Sequence, residues 1–156
     1  MTERRTYLDA NVLIAAWNGD ADTRAWARAV LDDPHRRFVV SDFVRLEVLP
    51  KPTFHRRASE LAFMETILSA AEPVPVDSAL LTRALTMAGK HDLHPMDALH
   101  LAAAAQAGVD ELATLEGPEK PMCQKTEVRV VSLRAKRDRL SGEPQTQSPR
   151  TLNPEP

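Results

Sequence analysis

The spacing of apolar and polar positions changes several times along the chain, and each change marks the edge of an element. Thr6, Tyr7 and Leu8 read as a short first strand, and residues 11–17 carry apolar side chains at helical density, so the backbone turns from strand to helix at Asp9-Ala10. A second helix is expected over 20–31, and Pro34 with its neighbours leads into a second strand over 37–41. Asp42 is placed to cap a helix over 43–49 that stops at the Pro50-Lys51-Pro52 pair, and a long amphipathic helix is expected over 54–70. Pro73 and Pro75 give the third strand, 73–76, an edge-like character.

A helix over 78–89 has Ser78 at its start and Gly89 at its end as boundary signals. The next opens at His94-Pro95-Met96-Asp97, with Pro95 suited to the first helical position, and closes at Gly108. Strands over 111–115 and 128–133 complete the set. Strands alternating with helices predict an α/β fold in three layers, α/β/α, around a mostly parallel sheet of about five strands. From Ser141 onward there is little to bury. The expected organisation is therefore one domain over 1–135 and a tail over 136–156, basic at first and then disordered.

Composition narrows the class. Hydrophobic residues make up 43% and charged residues 27%, the balance of a globular chain, and with 4% aromatics the core falls to Leu, Val and Ala. The apolar run at 99–105 is far shorter than the roughly 18 to 20 residues that cross a bilayer, so no membrane span is expected. The charged start and the interruption at Asp9 argue against a secretory leader, and a cytoplasmic address follows. The single cysteine, Cys123, can form neither an internal disulfide nor a thiolate metal site. Twenty Lys and Arg against 22 Asp and Glu give a net charge of -2, which does not by itself announce a nucleic-acid binder. Basic residues nevertheless gather at 51–57 and 134–139.

The acids carry the chemistry. Open parallel sheets bind ligands at the carboxyl ends of their strands, and Asp9 stands between the first strand and the first helix. Asp97 lies in the first turn of a helix, Glu47 in the helix after strand two, and Glu116 after the fourth strand. Taken singly, Asp9 and Asp97 are ordinary helix-start acids, but Glu47 among Phe43, Val44, Leu46, Val48 and Leu49 needs a partner or a metal. Carboxylates grouped without counter-charge raise one another's pKa, and a divalent cation with oxygen ligands, Mg2+ or Mn2+, is the natural compensation. Such an ion lowers the pKa of a bound water and neutralises charge growing on a phosphodiester.

The segment from Tyr7 through Asp9 and Asn11 to Trp17 resembles the opening motif of the PIN-domain family. Ser41 through Glu47 to Pro50 is similar to its second motif, and Pro95-Met-Asp97-Ala-Leu-His-Leu to its third. The match extends over about 6–133 and departs at the fourth motif, where Thr114-Leu115-Glu116 replaces the common Thr-x-Asp. This resemblance implies a metal-dependent endoribonuclease whose ion or ions are held by Asp9, Glu47 and Asp97, joined by Glu116. Asn11, Ser41 and Thr114 would orient carboxylates or waters. It further implies a toxin like VapC, an RNA substrate, a small antitoxin partner and a homodimer. A processing ribonuclease without antitoxin, or an inactive PIN fold serving as a binding module, are the alternatives.

Arg45, Lys51, Arg56 and Arg57 follow the second motif closely enough to contact an RNA backbone. His91, His94 and His100 lack further ligands at zinc spacing. His100 shares a helix face with Asp97, which leaves lining the cleft as an alternative, and packing is its expected role.

Overall fold

Strand β1, Arg4–Leu8, grows more buried along its length until Tyr7 and Leu8, which point to opposite faces, are both fully covered. Burial on both sides is the signature of an inner strand of a parallel sheet with helices above and below. The computed structural model describes residues 2–124 and 126–134; the expected tail at 136–156 lies outside them.

After β1 come α1 (Ala10–Asn18), α2 (Ala21–Leu31), β2 (Arg36–Ser41), α3 (Asp42–Val48), α4 (Pro50–Phe54), α5 (Ala58–Ala70), β3 (Glu72–Val74), α6 (Ser78–His91), α7 (Pro95–Ala107), β4 (Glu111–Thr114) and β5 (Val130–Ser132). The five strands stand in the order β3-β2-β1-β4-β5, and every pairing is parallel. The chain builds outward from β1 through β2 to β3 and then returns to the other side of β1. Right-handed crossovers therefore put α1 to α5 on one face and α6 and α7 on the other, giving the three layers. Helix α7, whose alanines 102 to 104 are fully buried, packs across β2, β3 and β4. Small side chains on its inner face allow this close seat on the sheet. The reversal of strand order falls between β1 and β4, where an open α/β sheet leaves a crevice at its carboxyl edge.

Five boundaries differ from the sequence expectation, each for a local reason. Pro50 begins a helix rather than ending one, because at the first helical position its missing N–H costs nothing. Helix α4 then closes at Arg56, a non-glycine residue with φ of 52°, while the Arg57 amide donates to the Pro52 carbonyl (2.9 Å), so the helix expected over 54–70 begins only at Ala58. Helix α6 is capped by Asp77, whose carboxylate accepts from the Leu80 amide at 2.8 Å, so Ser78 is its first residue rather than its cap. That helix runs past Gly89 and ends where Asp92 turns left-handed (φ 52°). Asp42 likewise sits in the first turn of α3 rather than capping it. Gly108, with φ of 62°, closes α7 as expected. No helix among the described residues is long and apolar enough to cross a membrane.

Candidate functional site

The carboxyl ends of β1, β2 and β4 meet the starts or bodies of α1, α3 and α7 at the crevice. Asp9 follows β1 directly, and its backbone amide donates to the Ala113 carbonyl of β4 at 3.0 Å, which fixes the residue at the strand reversal. The residue is 6% exposed. Thr114, the last residue of β4, donates from Oγ1 to Asp9 Oδ2 at 2.7 Å. The direction of that bond is not arbitrary. Thr114 Oγ1 already accepts from Asn11 Nδ2 (3.2 Å) and from the Glu116 amide (3.0 Å), so its single proton must point at the carboxylate. Asn11 is oriented in turn by the Leu115 amide, which donates to its Oδ1 at 3.0 Å. The expectation that Asn11 and Thr114 stand behind the acids thus has a definite geometry.

Glu47 reaches the crevice from near the end of α3, and His100 from the second turn of α7. One ligand atom each from Asp9, Glu47 and His100 lie within 4.8 Å of one another. His100 is 1% exposed, and its ring spans a gap: Nε2 stands 2.7 Å from Glu47 Oε2 and Nδ1 stands 2.8 Å from the Tyr7 hydroxyl. Tyr7 Oη lies 2.6 Å from Ser41 Oγ. These contacts bear on two sequence expectations. His100 bonds Glu47 and Tyr7 at the crevice rather than packing alone, and Ser41 bonds the Tyr7 hydroxyl rather than touching a carboxylate directly. The spacing of His100 three residues beyond Asp97 was a signal for it. Nothing in the sequence pointed to Ser132, whose hydroxyl donates to the Glu116 carbonyl at 2.6 Å and ties down the loop that carries Glu116.

Asp97 and Glu116 sit outside the tight group but inside its electric field. Burial, first, and then the Asp9 and Glu116 carboxylates raise the Asp97 pKa above its ordinary 3.8, against opposing pulls from His100 and His94. Burial likewise leads the rise at Asp9, with Glu47 and Glu116 adding to it and His100 and the Thr114 hydroxyl opposing it. Among the described residues no Lys or Arg forms an ion pair with any of the four acids. Asp9 and Glu47 each have one oxygen held by an internal donor and a second to which no donor among the described residues reaches. Two close carboxylate oxygens in a half-enclosed, negatively charged crevice fit a hard divalent cation. Asp9 and Glu47 would hold it, with Asp97 and Glu116 supplying further negative charge.

The expected phosphate contacts divide. Lys51 and Arg57, with His55, line a groove of about 580 Å³ that has Glu47 in its wall. Arg45 lines a neighbouring apolar hollow with Leu46, Leu49 and Phe54, and lies 3.9 Å from Glu65. Arg56 lines neither, being the left-handed residue between α4 and α5. On the other side of Ile14 and Asn18 a second groove carries Asn11, Glu116 and Arg134.

A family model described as the PIN domain matches residues 6–116. Among solved structures, the chain is similar to VapBC2 from Rickettsia felis bound to a promoter DNA fragment (12% identity, TM-score 0.63, 82% of this chain and 98% of that one). It is also similar to a toxin-antitoxin complex from Klebsiella pneumoniae (20% identity, TM-score 0.64, 82% and 97%). A third similar structure is FitAcB from Neisseria gonorrhoeae (20% identity, TM-score 0.52, 82% and 97%). No curated protein matches the chain.

Proposed function

The chain belongs to the PIN-domain family, whose members are generally nucleases, and from that premise we propose that it is a divalent-metal-dependent endoribonuclease and the toxin of a toxin-antitoxin pair. The observation that carries the reading is the pairing of Asp9 and Glu47 at the strand reversal, with Asp97 and Glu116 in the same field and no Lys or Arg among the described residues paired to any of them. A bound Mg2+ or Mn2+ would supply electrophilic stabilisation of the phosphodiester and activation of water at neutral pH.

The protein's own contribution is arrangement. Thr114 aims Asp9 and opposes the rise that burial imposes on its pKa, because a hydroxyl donating to the carboxylate favours its charged form. Asn11 and the Glu116 amide keep the Thr114 proton pointed that way. Lys51, His55 and Arg57 offer donors to the backbone of an RNA strand leading to Glu47, and Arg45 and Arg56 would touch it farther out. An antitoxin partner is supported by the shared fold with proteins solved as toxin-antitoxin complexes. A second copy of this chain is the expected further partner, and exposed Leu81 and Leu85 give it apolar surface to meet.

The test is cleavage of a mixed structured RNA by the purified protein with Mn2+, Mg2+ or chelator, beside Asp9→Asn and Asp97→Asn. Metal-dependent cleavage lost by about a hundredfold or more in both variants is the expected result. Equal cleavage by wild type and variants, or none by any of them together with no Mn2+ binding, would leave a binding module in place of the nuclease.

A further inference from the structure

Resting on the nuclease reading, we infer that His100 is a positioning residue for Glu47: it holds one oxygen of that carboxylate through Nε2–H and does not itself ligate the ion.

The argument begins with the tautomer. Glu47 Oε2, 2.7 Å from Nε2, can only accept when ionised, so a bare Nε2 lone pair there would face another lone pair. Nε2 therefore carries a proton. In the neutral ring Nδ1 is then the acceptor, and the one partner it has is the Tyr7 hydroxyl at 2.8 Å, which must donate to it. With its proton committed, Tyr7 Oη accepts from Ser41 Oγ at 2.6 Å. The three contacts thus have one consistent direction, from Ser41 through Tyr7 and His100 to Glu47. Every member before Glu47 is buried and sits on the sheet or on α7, whereas the Glu47 side chain, on short α3, is 35% exposed.

The inequality in burial gives the chain its purpose. A glutamate has three rotatable bonds, and no other hydrogen bond or ion pair among the described residues holds the part-exposed Glu47 side chain. His100 supplies that selection from the rigid side of the crevice, and Tyr7 fixes the ring about its own axis. Asp9 needs no such help, because it sits on the sheet and Thr114 already holds it. The Nε2 to Asp9 Oδ1 separation of 3.9 Å is too long for a hydrogen bond, so the histidine serves Glu47 alone.

The experiment compares wild type with His100→Gln, whose amide donates from nearly the same place as Nε2, and with His100→Ala. Folding is checked by circular dichroism, Mn2+ affinity is measured by calorimetry, and kcat and KM are measured on RNA. The expected result is a loss in His100→Ala of about 10- to 100-fold in Mn2+ affinity, carried into kcat with KM unchanged, and recovery of most of that loss in His100→Gln. Nitrogen NMR of the metal-free protein should find the proton on Nε2. A wild-type protein that binds Mn2+ and cleaves while His100→Ala does so equally well would overturn the positioning role alone. So would a folded His100→Gln as weak as His100→Ala, or a ring protonated only at Nδ1, since both describe a metal ligand. A wild-type protein that neither binds Mn2+ nor cleaves would instead bring down the nuclease reading, and this role with it.

Discussion

Two buried acids lie at opposite edges of one sheet. Asp9 follows β1 at the carboxyl edge, and Glu111 opens β4 at the amino edge with 1% exposure. Glu111 is surrounded by cations and a donor: Arg36 Nε at 3.1 Å, Arg4 at 3.7 Å and the Thr6 hydroxyl at 3.1 Å. Asp9 has a threonine hydroxyl, a histidine beyond bonding distance and three further carboxylates in its field. The same cost of burying a carboxylate is met inside the molecule at one edge and left open at the other. An arrangement that is complete in itself reads as structural, and one short of positive charge reads as a place where something positive is brought in.

Breaking the complete edge should have the largest effect. Glu111→Ala leaves the largely buried Arg36 with only the part-exposed Asp33, 3.4 Å away, and is expected to cost about 3 kcal/mol in urea unfolding, the lower end for breaking a buried pair. At the open edge the sign reverses. Saturating Mn2+ at a hundred times its dissociation constant should stabilise the wild type by about 2.7 kcal/mol at neutral pH, and a thermal midpoint that ignores the metal would count against the site.

The third effect is a pH dependence. In the metal-free protein Asp9 and Asp97 have folded pKa values above their ordinary 3.8, so between the two values the folded state binds more protons than the unfolded one. Their contribution to stability therefore declines as pH rises from 3.8 through the raised values, and the full deficit remains above them. In chelator, the Asp9→Asn, Asp97→Asn double variant should melt above wild type at pH 8, with a flatter dependence of midpoint on pH.

The smallest effect reports the field at a distance. Burial first, and then Glu116, Glu119, Asp97 and Asp9, push the Cys123 thiol up to about 11. A cation on the acids would offset part of that, so alkylation of Cys123 at pH 8 should be slow in chelator and about two- to fivefold faster with Mn2+. An unchanged rate would separate the ion from these acids.

Much of this was legible in the sequence because it rests on local signals. Asp9 is marked by the change from strand to helix, Gly108 by its place at the end of an apolar helical run, and β2 and β5 by the paired valines Val39-Val40 and Val130-Val131. Glu47 was legible as an acid in an apolar segment. What escaped depends on partners distant in the chain or on caps without a distinctive residue. Arg56 ends α4 left-handed without being glycine, so the break between α4 and α5 carries no mark. Asp77 and Ser78 are both good caps, and only the bond to Leu80 decides between them. The place of His100 was half visible: helical spacing set it beside Asp97, but its working partners come from β1 and α3, 93 and 53 residues away.

The sheet also governs how this molecule can meet others. Its outer strands, Glu72–Val74 and Val130–Ser132, are three residues each, and Pro73, opposite Val40, has no amide hydrogen to offer. Such an edge is a poor template for recruiting another strand. Crowding many copies together should therefore not seed fibrils through β3, and association is left to side-chain surfaces. These are reversible contacts that a change of sequence can tune without disturbing the backbone.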